Sequence, residues 1–410
     1  MNFLQFFIWG SWLITIGAYW FQNKQWSGAE FGAIFSTMGI ASLFMPAIAG
    51  IIADRWVSAQ KLLGIFHIIG AALMFYLPQV DNPNTFYWII LLNMMFYMPT
   101  LALSITVAYS ALKREGLDIV KVYPPIRVWG TIGFIVAMWI VSLLHFETSP
   151  YQFYVASAAA LILGMYSFTL PDTPPTPDKE AKKSFIHAMG LDAFKLFKSY
   201  KMAVFFIFAM LLGAALQLTN AYGDTFLHDF ALIPEYQNLV AVKYPAIIMS
   251  ISQMSETLFI LTIPFFLKRF GIKKVMLFSM VAWVLRFGLF GLGNPADGLW
   301  MIILSCIIYG MAFDFFNISG SLYVETQSSP AIRASAQGLF MMMTNGFGAF
   351  LGSRISGIMI DRYYLLPDGS KDWPGIWFAF AVYAAVVAVL FAVMFKHKHN
   401  PEELNTSASH

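Results

Sequence analysis

Residues 298–319 read GLWMIILSCIIYGMAFDFFNIS, a run that is apolar enough to cross a lipid bilayer and carries a single charged residue, Asp314. A helix needs about 20 such residues to span the hydrocarbon core. The stretch near 245–267 has the same character, with Glu256 at its centre. An ionised side chain there costs about 2.5–3.5 kcal/mol, so it usually faces the interior of a helix bundle, where it has a partner or binds a proton. These stretches predict an α-helical membrane protein with two functional carboxyl groups.

The composition extends this prediction to the whole chain. Of its 410 residues, 59% are hydrophobic and 11% are charged, whereas about 25% are charged in soluble domains. Windows of about 19 residues predict twelve spans, near 2–21, 31–52, 62–79, 86–112, 127–146, 151–170, 202–222, 245–267, 275–293, 298–319, 333–356 and 373–396. The first span follows Met1 and Asn2 without a basic segment or a cleavage site, so we expect a retained helix and not a signal peptide.

The distribution of Lys and Arg predicts the orientation of the spans. One set of alternating loops, together with its membrane edge, holds 19 of the 25 basic residues, whereas the opposite set holds only Lys24, Lys243, Arg362 and Lys371. Because basic loops stay in the cytoplasm, both termini are expected there. The net charge of +3 is therefore a topology signal and does not indicate a nucleic-acid partner. The sole cysteine, Cys306, leaves no pair for a disulfide.

A segment rich in proline and charge divides the chain. It predicts an N-terminal six-helix half over 1–170, a cytoplasmic linker over 171–201, a C-terminal six-helix half over 202–396 and a cytoplasmic tail over 397–410. Within the linker, residues 184–201 are amphipathic, which is typical of a helix lying on the cytoplasmic leaflet and also of a plain connector.

A weak internal repeat supports the two halves. Residues 126–127 and 332–333 are both Ile-Arg, at the start of the fifth and eleventh spans. Parallel six-helix halves are typical of major facilitator transporters. The Gly-x-x-x-Asp-Arg pattern of 50–55 resembles the motif that follows the second helix in that superfamily, although the usual Gly-Arg-Lys ending is missing. It predicts a gate formed by Asp54 and Arg55, in which Asp54 accepts hydrogen bonds from a helix N-terminus; a solvated turn is the alternative.

Polar residues inside the spans predict a binding cavity. At i, i+3, i+4 and i+7 spacing, residues share one face of a helix. The residues with this spacing are Arg127, Thr131 and Phe134 on the fifth span, Gln217 and Asn220 on the seventh, Gln253 and Glu256 on the eighth, and Tyr309 and Phe313, beside Asp314, on the tenth. Each amide alone could be a hydrogen bond between helices. Together, on four helices, they indicate a lined cavity.

The side chains of this cavity restrict its ligand. A phosphate would need several converging cations, and the interior offers only Arg127 and Arg286. Amides pair with hydroxyl groups and ring heteroatoms, and aromatic rings stack on flat ligands. A sugar and a nucleoside both fit. Whether Arg286 forms a salt bridge with Asp314 is open at this point.

Several longer segments resemble the bacterial nucleoside/proton symporter family of the major facilitator superfamily. The resemblance runs nearly end to end, through FLQF at 3–6, WGSWL at 9–13, FYMPTL at 96–101, PPIRVWGTIGF at 124–134, FLH at 226–228, SQMSETLF at 252–259, FDFFNISG at 313–320 and PAIRASAQG at 330–338.

This resemblance implies a twelve-helix major facilitator fold that imports nucleosides such as uridine together with protons. The implied substrate-binding residues are Arg127, Thr131, Phe134, Gln217, Asn220, Gln253, Glu256, Tyr309 and Phe313, and Glu256 and Asp314 are the implied proton-coupling acids. It also implies alternating access around a site between the halves, a functional monomer in contact with lipid in the bacterial inner membrane, and no cofactor besides the proton.

Two other classes of function stay open on the residues alone. Proton-linked sugar uptake and drug efflux share this fold and its buried acids, because a fold does not determine the substrate. An intramembrane enzyme or receptor would need a nucleophile with its base, or a metal cluster. His67, which is interior, has no matched partner in the sequence and is expected to be a packed polar residue.

Overall fold

The computed structural model describes residues 1–175, 191–329 and 332–398. Over these residues the chain is almost entirely helical, and the β pairing in this part is an isolated antiparallel bridge between Leu365 and Lys371. Internal contacts divide the chain into two compact units, Met1–Met189 and Gly190–His410. The division falls inside the segment for which a linker is predicted.

The first unit is built from seven described α-helices. They are α1 (Asn2–Gly10), α2 (Ile16–Ala18), α3 (Gly28–Arg55), α4 (Ala59–Tyr76), α5 (Pro83–Arg114), α6 (Ile119–Leu143) and α7 (Tyr151–Ser167), with a π-helical segment, Tyr19–Asn23, directly after α2. Side-chain caps begin two of the long helices. Ser27 and Glu30 form a reciprocal capping box at α3, and the Asn82 side chain accepts from the Asn84 and Thr85 amides at α5. Such caps satisfy amides that have no partner inside the helix.

The second unit contains the remaining α-helices of the described residues. They are α8 (Tyr200–Asp229), α9 (Val240–Lys243), α10 (Pro245–Ile260), α11 (Ile263–Leu292), α12 (Leu299–Gln327), α13 (Arg333–Met341), α14 (Ala349–Tyr363) and α15 (Trp373–Met394). A π-helical segment, Met342–Gly348, joins α13 to α14.

Eight of the described helices, α3, α4, α5, α6, α8, α11, α12 and α15, are long and apolar enough to cross a membrane. The other four predicted spans correspond to shorter helices. The sixth is α7, of 17 residues. The first is interrupted by a turn at 11–15, between α1 and α2, and the eleventh by the π-helical segment Met342–Gly348. The eighth is α10, which ends at Ile260 before the helix resumes at Ile263. Irregular backbone is tolerated at membrane depth where protein or a cavity surrounds it.

Gly271 separates the eighth span from the ninth. The helical run Ile263–Leu292 has a sharp kink at this residue, whose φ of 77° lies in the left-handed region. Glycine reaches this region without steric cost because it has no Cβ. The run therefore contains the end of one span and the whole of the next, as the spans near 245–267 and 275–293 predict.

The fifth span begins earlier than predicted. The prediction starts this span near residue 127, directly after the prolines at 124–125, whereas α6 begins at Ile119. The fixed φ of proline is compatible with a helix, so a proline pair does not by itself set where the helix starts.

A buried polar network holds the interior of the first unit. His67 Nε2 lies 2.8 Å from Gln5 Oε1, and Gln5 Nε2 donates to Thr100 Oγ1 at 2.7 Å. The Tyr97 hydroxyl donates to the Gln5 carbonyl at 2.7 Å. Because an amide oxygen only accepts, His67 Nε2 carries the proton and donates it to Gln5. His67 is thus a packed polar residue, as the sequence predicts.

The start of the linker is tied to α4. The Gln60 side chain donates to Asp172 and accepts from the Thr173 amide at 2.9 Å. The hydrogen bond from Gln60 holds the pKa of the exposed Asp172 carboxyl below its usual value. The first part of the predicted amphipathic stretch, 184–190, lies outside the described residues, as does the tail from 399 onward. From Leu191 to Lys198 the chain forms a 3-10 helix, with Phe197 packed against Phe206 of α8 at 5.5 Å between ring centroids.

Candidate substrate-binding site

Most of the predicted site residues lie on three helices of the second unit, α8, α10 and α12. α12 packs against α10, which also contacts α8. α10 and α12 approach each other closely at Gly310, where a Cβ would lie 2.6 Å from the Ser255 carbonyl oxygen and 2.8 Å from the Glu256 amide nitrogen. The Ser255 hydroxyl donates to the Ile307 carbonyl across the same interface. This contact places Tyr309 of α12 next to the backbone that carries Glu256.

The amides of the predicted site have unused hydrogen-bonding capacity. Gln217, only 3% exposed, has a buried Oε1 without a hydrogen-bond partner among the described residues, and so has Gln253. The amides of Gln5 and Gln152, in the first unit, are by contrast paired. An unpaired buried amide costs about 1–3 kcal/mol. Side chains that carry this cost are suited to bind a ligand that supplies the missing donors.

An aromatic pair and a buried carboxyl lie on α12. The rings of Tyr309 and Phe313 are nearly parallel, with an interplanar angle of 6° and centroids 5.9 Å apart. Asp314 is 4% exposed, and its Oδ2 has no hydrogen-bond partner in the described part of the chain. The pair offers a flat apolar face, which is the surface that a planar ring system needs.

Arg286 of α11 is bound to all three helices of this site. It is 1% exposed, and its Nη1 donates to the Ser305 carbonyl of α12 at 2.7 Å. Longer contacts of 3.4 Å reach Thr219 of α8 and Ser252 of α10. Its guanidinium carbon lies 4.6 Å from the centroid of the Tyr309 ring, a cation–π distance.

These contacts decide the question of the salt bridge. Among the described residues, no ion pair or hydrogen bond joins Arg286 to Asp314. Arg286 instead contacts Thr219 and Ser252, each adjacent in sequence to a predicted binding residue, and Tyr309, which is itself one. Sequence reasoning missed this role because the partners are a backbone carbonyl, two hydroxyls and a ring, none of which has a charge to suggest a pair.

The other predicted stripe, Arg127, Thr131 and Phe134, lies on α6 of the first unit. The guanidinium of Arg127 lies 4.0 Å from the centroid of the Phe6 ring of α1. α1 and α6 are in backbone contact, because a Cβ on Gly133 would collide with the Phe3 carbonyl oxygen. All three side chains of the stripe are half-buried, so each keeps accessible surface.

The predicted gate residues lie apart from these stripes. Asp54 and Arg55 are exposed at the C-terminal end of α3. Neither makes a hydrogen bond or an ion pair within the ranges that the structure describes. Their gating role stays a prediction.

Two further amides were not identified from the sequence. Asn317 of α12 lies one turn beyond Phe313, at i+4, and its position on that face could have been recognised from the spacing. Asn345 lies in the π-helical segment Met342–Gly348, where helical periodicity is broken, so spacing carries no signal for it. Both line a cavity of about 30 Å³ together with Phe313.

Taken together, the membrane-spanning helices and the unpaired polar groups inside them define a membrane transporter of a small solute. The chain belongs to the nucleoside H+ symporter family, whose pattern it matches over residues 1–400. This membership confirms the family predicted from the sequence.

Individual relatives cover nearly the whole chain. The chain is 54% identical to the xanthosine permease of Escherichia coli (strain K12), over 100% of this chain and 97% of the relative. It is 53% identical to the nucleoside permease NupG of the same organism, over 97% of this chain and 95% of the relative. The crystal structure of the nucleoside transporter NupG superposes with a TM-score of 0.91, over 97% of this chain and 98% of that chain. The crystal structure of the POT family transporter PepTSo is 12% identical to this chain, with a TM-score of 0.71, and this likeness shows the fold alone. The predicted major facilitator fold is confirmed.

Proposed function

We propose that this protein imports nucleosides together with protons, and that the nucleoside binds to the amide and aromatic groups of α8, α10 and α12. The observation that carries this proposal is the pair of buried amide oxygens of Gln217 and Gln253, which have no partner within the described residues. A nucleoside has hydroxyl and ring N–H groups to donate to them, and a flat base to stack on an aromatic face.

In this proposal each group has a separate role. Gln217, Asn220 and Gln253 hydrogen-bond the nucleoside, and Tyr309 and Phe313 form the flat face. Arg127, Thr131 and Phe134 of the first unit are further substrate-binding residues by family resemblance. Arg286 is a positioning residue, since it is bound to Ser252, Ser305 and Tyr309 and keeps the three helices in register.

The same arrangement favours a neutral substrate over a phosphorylated one. A nucleotide would need cations that converge on its phosphate. Arg286 is buried among hydroxyls, a carbonyl and aromatic rings, and Arg127 lies over a phenylalanine. These contacts of the two guanidiniums are all with uncharged groups. A phosphate that entered this site would therefore lose its bound water without gaining enough ion pairs to offset the free-energy cost.

Glu256 and Asp314 couple transport to protons. A carboxyl inside a membrane-spanning helix can take up and release a proton as the cavity alternates between water-filled and closed states. The buried position of Asp314, next to Phe313, supports this assignment. Glu256 is expected to act both as a ligand and as a proton carrier. The coupling ion is the proton, and we propose no other cofactor.

Transport proceeds by alternating access, in which the two halves rock around the bound substrate. Asp54 and Arg55 are proposed to act as a cytoplasmic gate. We further propose that the protein is a transporter and not an enzyme, and that uridine is among its substrates. It is proposed to work as a monomer, surrounded by lipid in the bacterial inner membrane, with both termini in the cytoplasm.

Uptake of labelled uridine into proteoliposomes tests this function. With an imposed pH gradient, acid outside, we expect uridine to accumulate above its external concentration, and a protonophore should abolish the accumulation. Uptake that reaches only equilibrium, at the same rate with and without the gradient, would refute proton coupling. Accumulation of a sugar and not of uridine would refute the substrate class.

A further inference from the structure

The cavity beside Phe313 is lined by two carboxamides whose hydrogen-bonding capacity is largely unused among the described residues. It lies within the second unit, between α8, α11, α12 and the π-helical segment Met342–Gly348, and its polar lining comes from Asn317, Thr344 and Asn345. The Thr344 hydroxyl is satisfied, because it donates to the Phe340 carbonyl at 3.0 Å. The side chain of Asn317 makes no hydrogen bond with any described residue. Asn345 has only a 4.0 Å contact from its Nδ2 to the sulfur of Met341.

The cavity continues the surface to which the nucleoside is proposed to bind. Tyr309, Phe313 and Asn317 follow each other at i, i+4 and i+8 on α12, and Leu212, Leu216 and Asn220 do the same on α8. Residues at this spacing lie on one face of a helix. The two carboxamides thus adjoin the proposed binding residues, at the edge of the flat face formed by Phe313.

The position of Asn345 is held by backbone contacts. α8 and the π-helical segment touch at Gly213, where a Cβ would collide with the Thr344 carbonyl oxygen, and at Gly348, where a Cβ would collide with the Met210 carbonyl oxygen. A π-helical turn has less favourable hydrogen-bond geometry than an α-helical turn, and such turns occur frequently at functional sites. A rigidly held carboxamide loses little entropy when a ligand binds to it.

The size of the cavity indicates which part of a ligand can enter. Its volume of about 30 Å³ has room for roughly two waters, since one water needs about 10–15 Å³ on this measure. A whole base is larger than this, whereas the carbonyl or amino group at the edge of a base fits. Asn317 also borders an open groove of about 460 Å³, lined by Ser321 and Gln337, from which it can be reached.

We infer that Asn317 and Asn345 form a subsite that hydrogen-bonds the polar edge of the nucleoside base and so determines which bases are accepted. The inference rests on the proposed function, because it assigns a part of the same ligand. A carboxamide offers both a donor and an acceptor, and the bases differ in the order of donors and acceptors along their edges. A site built to pair with such groups discriminates against a ligand that leaves them unpaired.

The test compares the affinities of four nucleosides for purified full-length protein. Labelled uridine is displaced by uridine, cytidine, inosine and xanthosine, first from the wild type and then from Asn317→Leu and Asn345→Leu, which keep the side-chain shape and remove the amide. We expect each variant to lose roughly two- to twelvefold in affinity for some bases and little for others, the range that one neutral hydrogen bond provides. 2′-Deoxyuridine serves as a fifth competitor, and the ratio of the affinities for uridine and 2′-deoxyuridine should not change, because the proposed subsite contacts the base and not the sugar.

Thr344→Val is the matched control, since it changes a side chain of the same cavity whose hydroxyl is already paired. Its base ranking should equal that of the wild type. If either Leu variant does not fold, Asn317→Ser and Asn345→Ser, which are smaller and keep a polar group, replace them. A loss by the same factor for every nucleoside, or no loss, would overturn the subsite. Failure of the wild type to bind any nucleoside would instead overturn the proposed function.

Discussion

Replacing Gly310 by alanine should weaken nucleoside binding by separating two helices that carry the site. The new Cβ would lie 2.6 Å from the Ser255 carbonyl oxygen, 2.7 Å from its carbonyl carbon and 2.8 Å from the Glu256 amide nitrogen. All three are backbone atoms, so no side-chain rotation can relieve the contact. An ordinary carbon contact starts near 3.4 Å, and α10 and α12 would therefore have to move apart by roughly 0.8 Å.

The magnitude follows from how much such a movement disturbs packing and the binding groups. Adding one methyl group to a tightly packed interface costs about 1–3 kcal/mol. Binding groups work only when they are held to within roughly 0.5 Å. Tyr309 is on one of these helices, and Gln253 and Glu256 are on the other, so a separation of the helices changes the distances between these groups. A movement of roughly 0.8 Å exceeds the tolerance of roughly 0.5 Å. A loss of about 1.4 kcal/mol corresponds to a tenfold weaker affinity, which is the expected effect on uridine.

Equilibrium binding of uridine to purified protein, together with thermal unfolding, measures this effect. Gly288→Ala is the matched control: Gly288 is also inside a helix, α11, but a Cβ there meets nothing within 4 Å. It should bind like the wild type and be equally or slightly more stable, because alanine favours a helix over glycine by roughly 0.5–1 kcal/mol. The reasoning is refuted if Gly310→Ala keeps both the affinity and the melting temperature of the wild type.

Three further outcomes are expected. Glu256→Gln should retain uridine binding but lose uridine accumulation driven by a pH gradient, because the glutamine amide cannot release a proton. Uptake into proteoliposomes measures this. If Glu256→Gln still concentrates uridine while Asp314→Asn does not, the proton travels on Asp314 alone. Uridine monophosphate should fail to displace labelled uridine at concentrations where uridine does, and efficient displacement would contradict the lack of converging cations. Asp54→Asn should slow uptake and leave the dissociation constant within a few-fold of the wild type, because the exposed Asp54 is assigned to the proposed gate and lies apart from the proposed binding residues; a collapse of binding in folded protein would count against this role.

The sequence by itself determined the fold class, because the physical constraint is one-dimensional. A bilayer demands about 20 consecutive apolar residues per span, and this length can be counted along the chain. Spans such as 298–319 were therefore predicted close to their actual helices. The helical stripes of Gln217 with Asn220, and of Tyr309 with Phe313, also follow from the chain alone, since the period of a helix is known in advance.

Only the tertiary structure decided which groups meet between helices. Whether Arg286 forms a salt bridge with Asp314 was open on the sequence. The structure assigns it to Ser305, Ser252 and Tyr309. The unpaired oxygens of Gln217 and Gln253 and the cavity at Asn345 are likewise visible only after packing. Whether a buried polar side chain has a hydrogen-bond partner depends on atoms that are distant in sequence. Hydrogen bonds act over about 3 Å in space, and the spacing of residues along the chain does not show which atoms come that close.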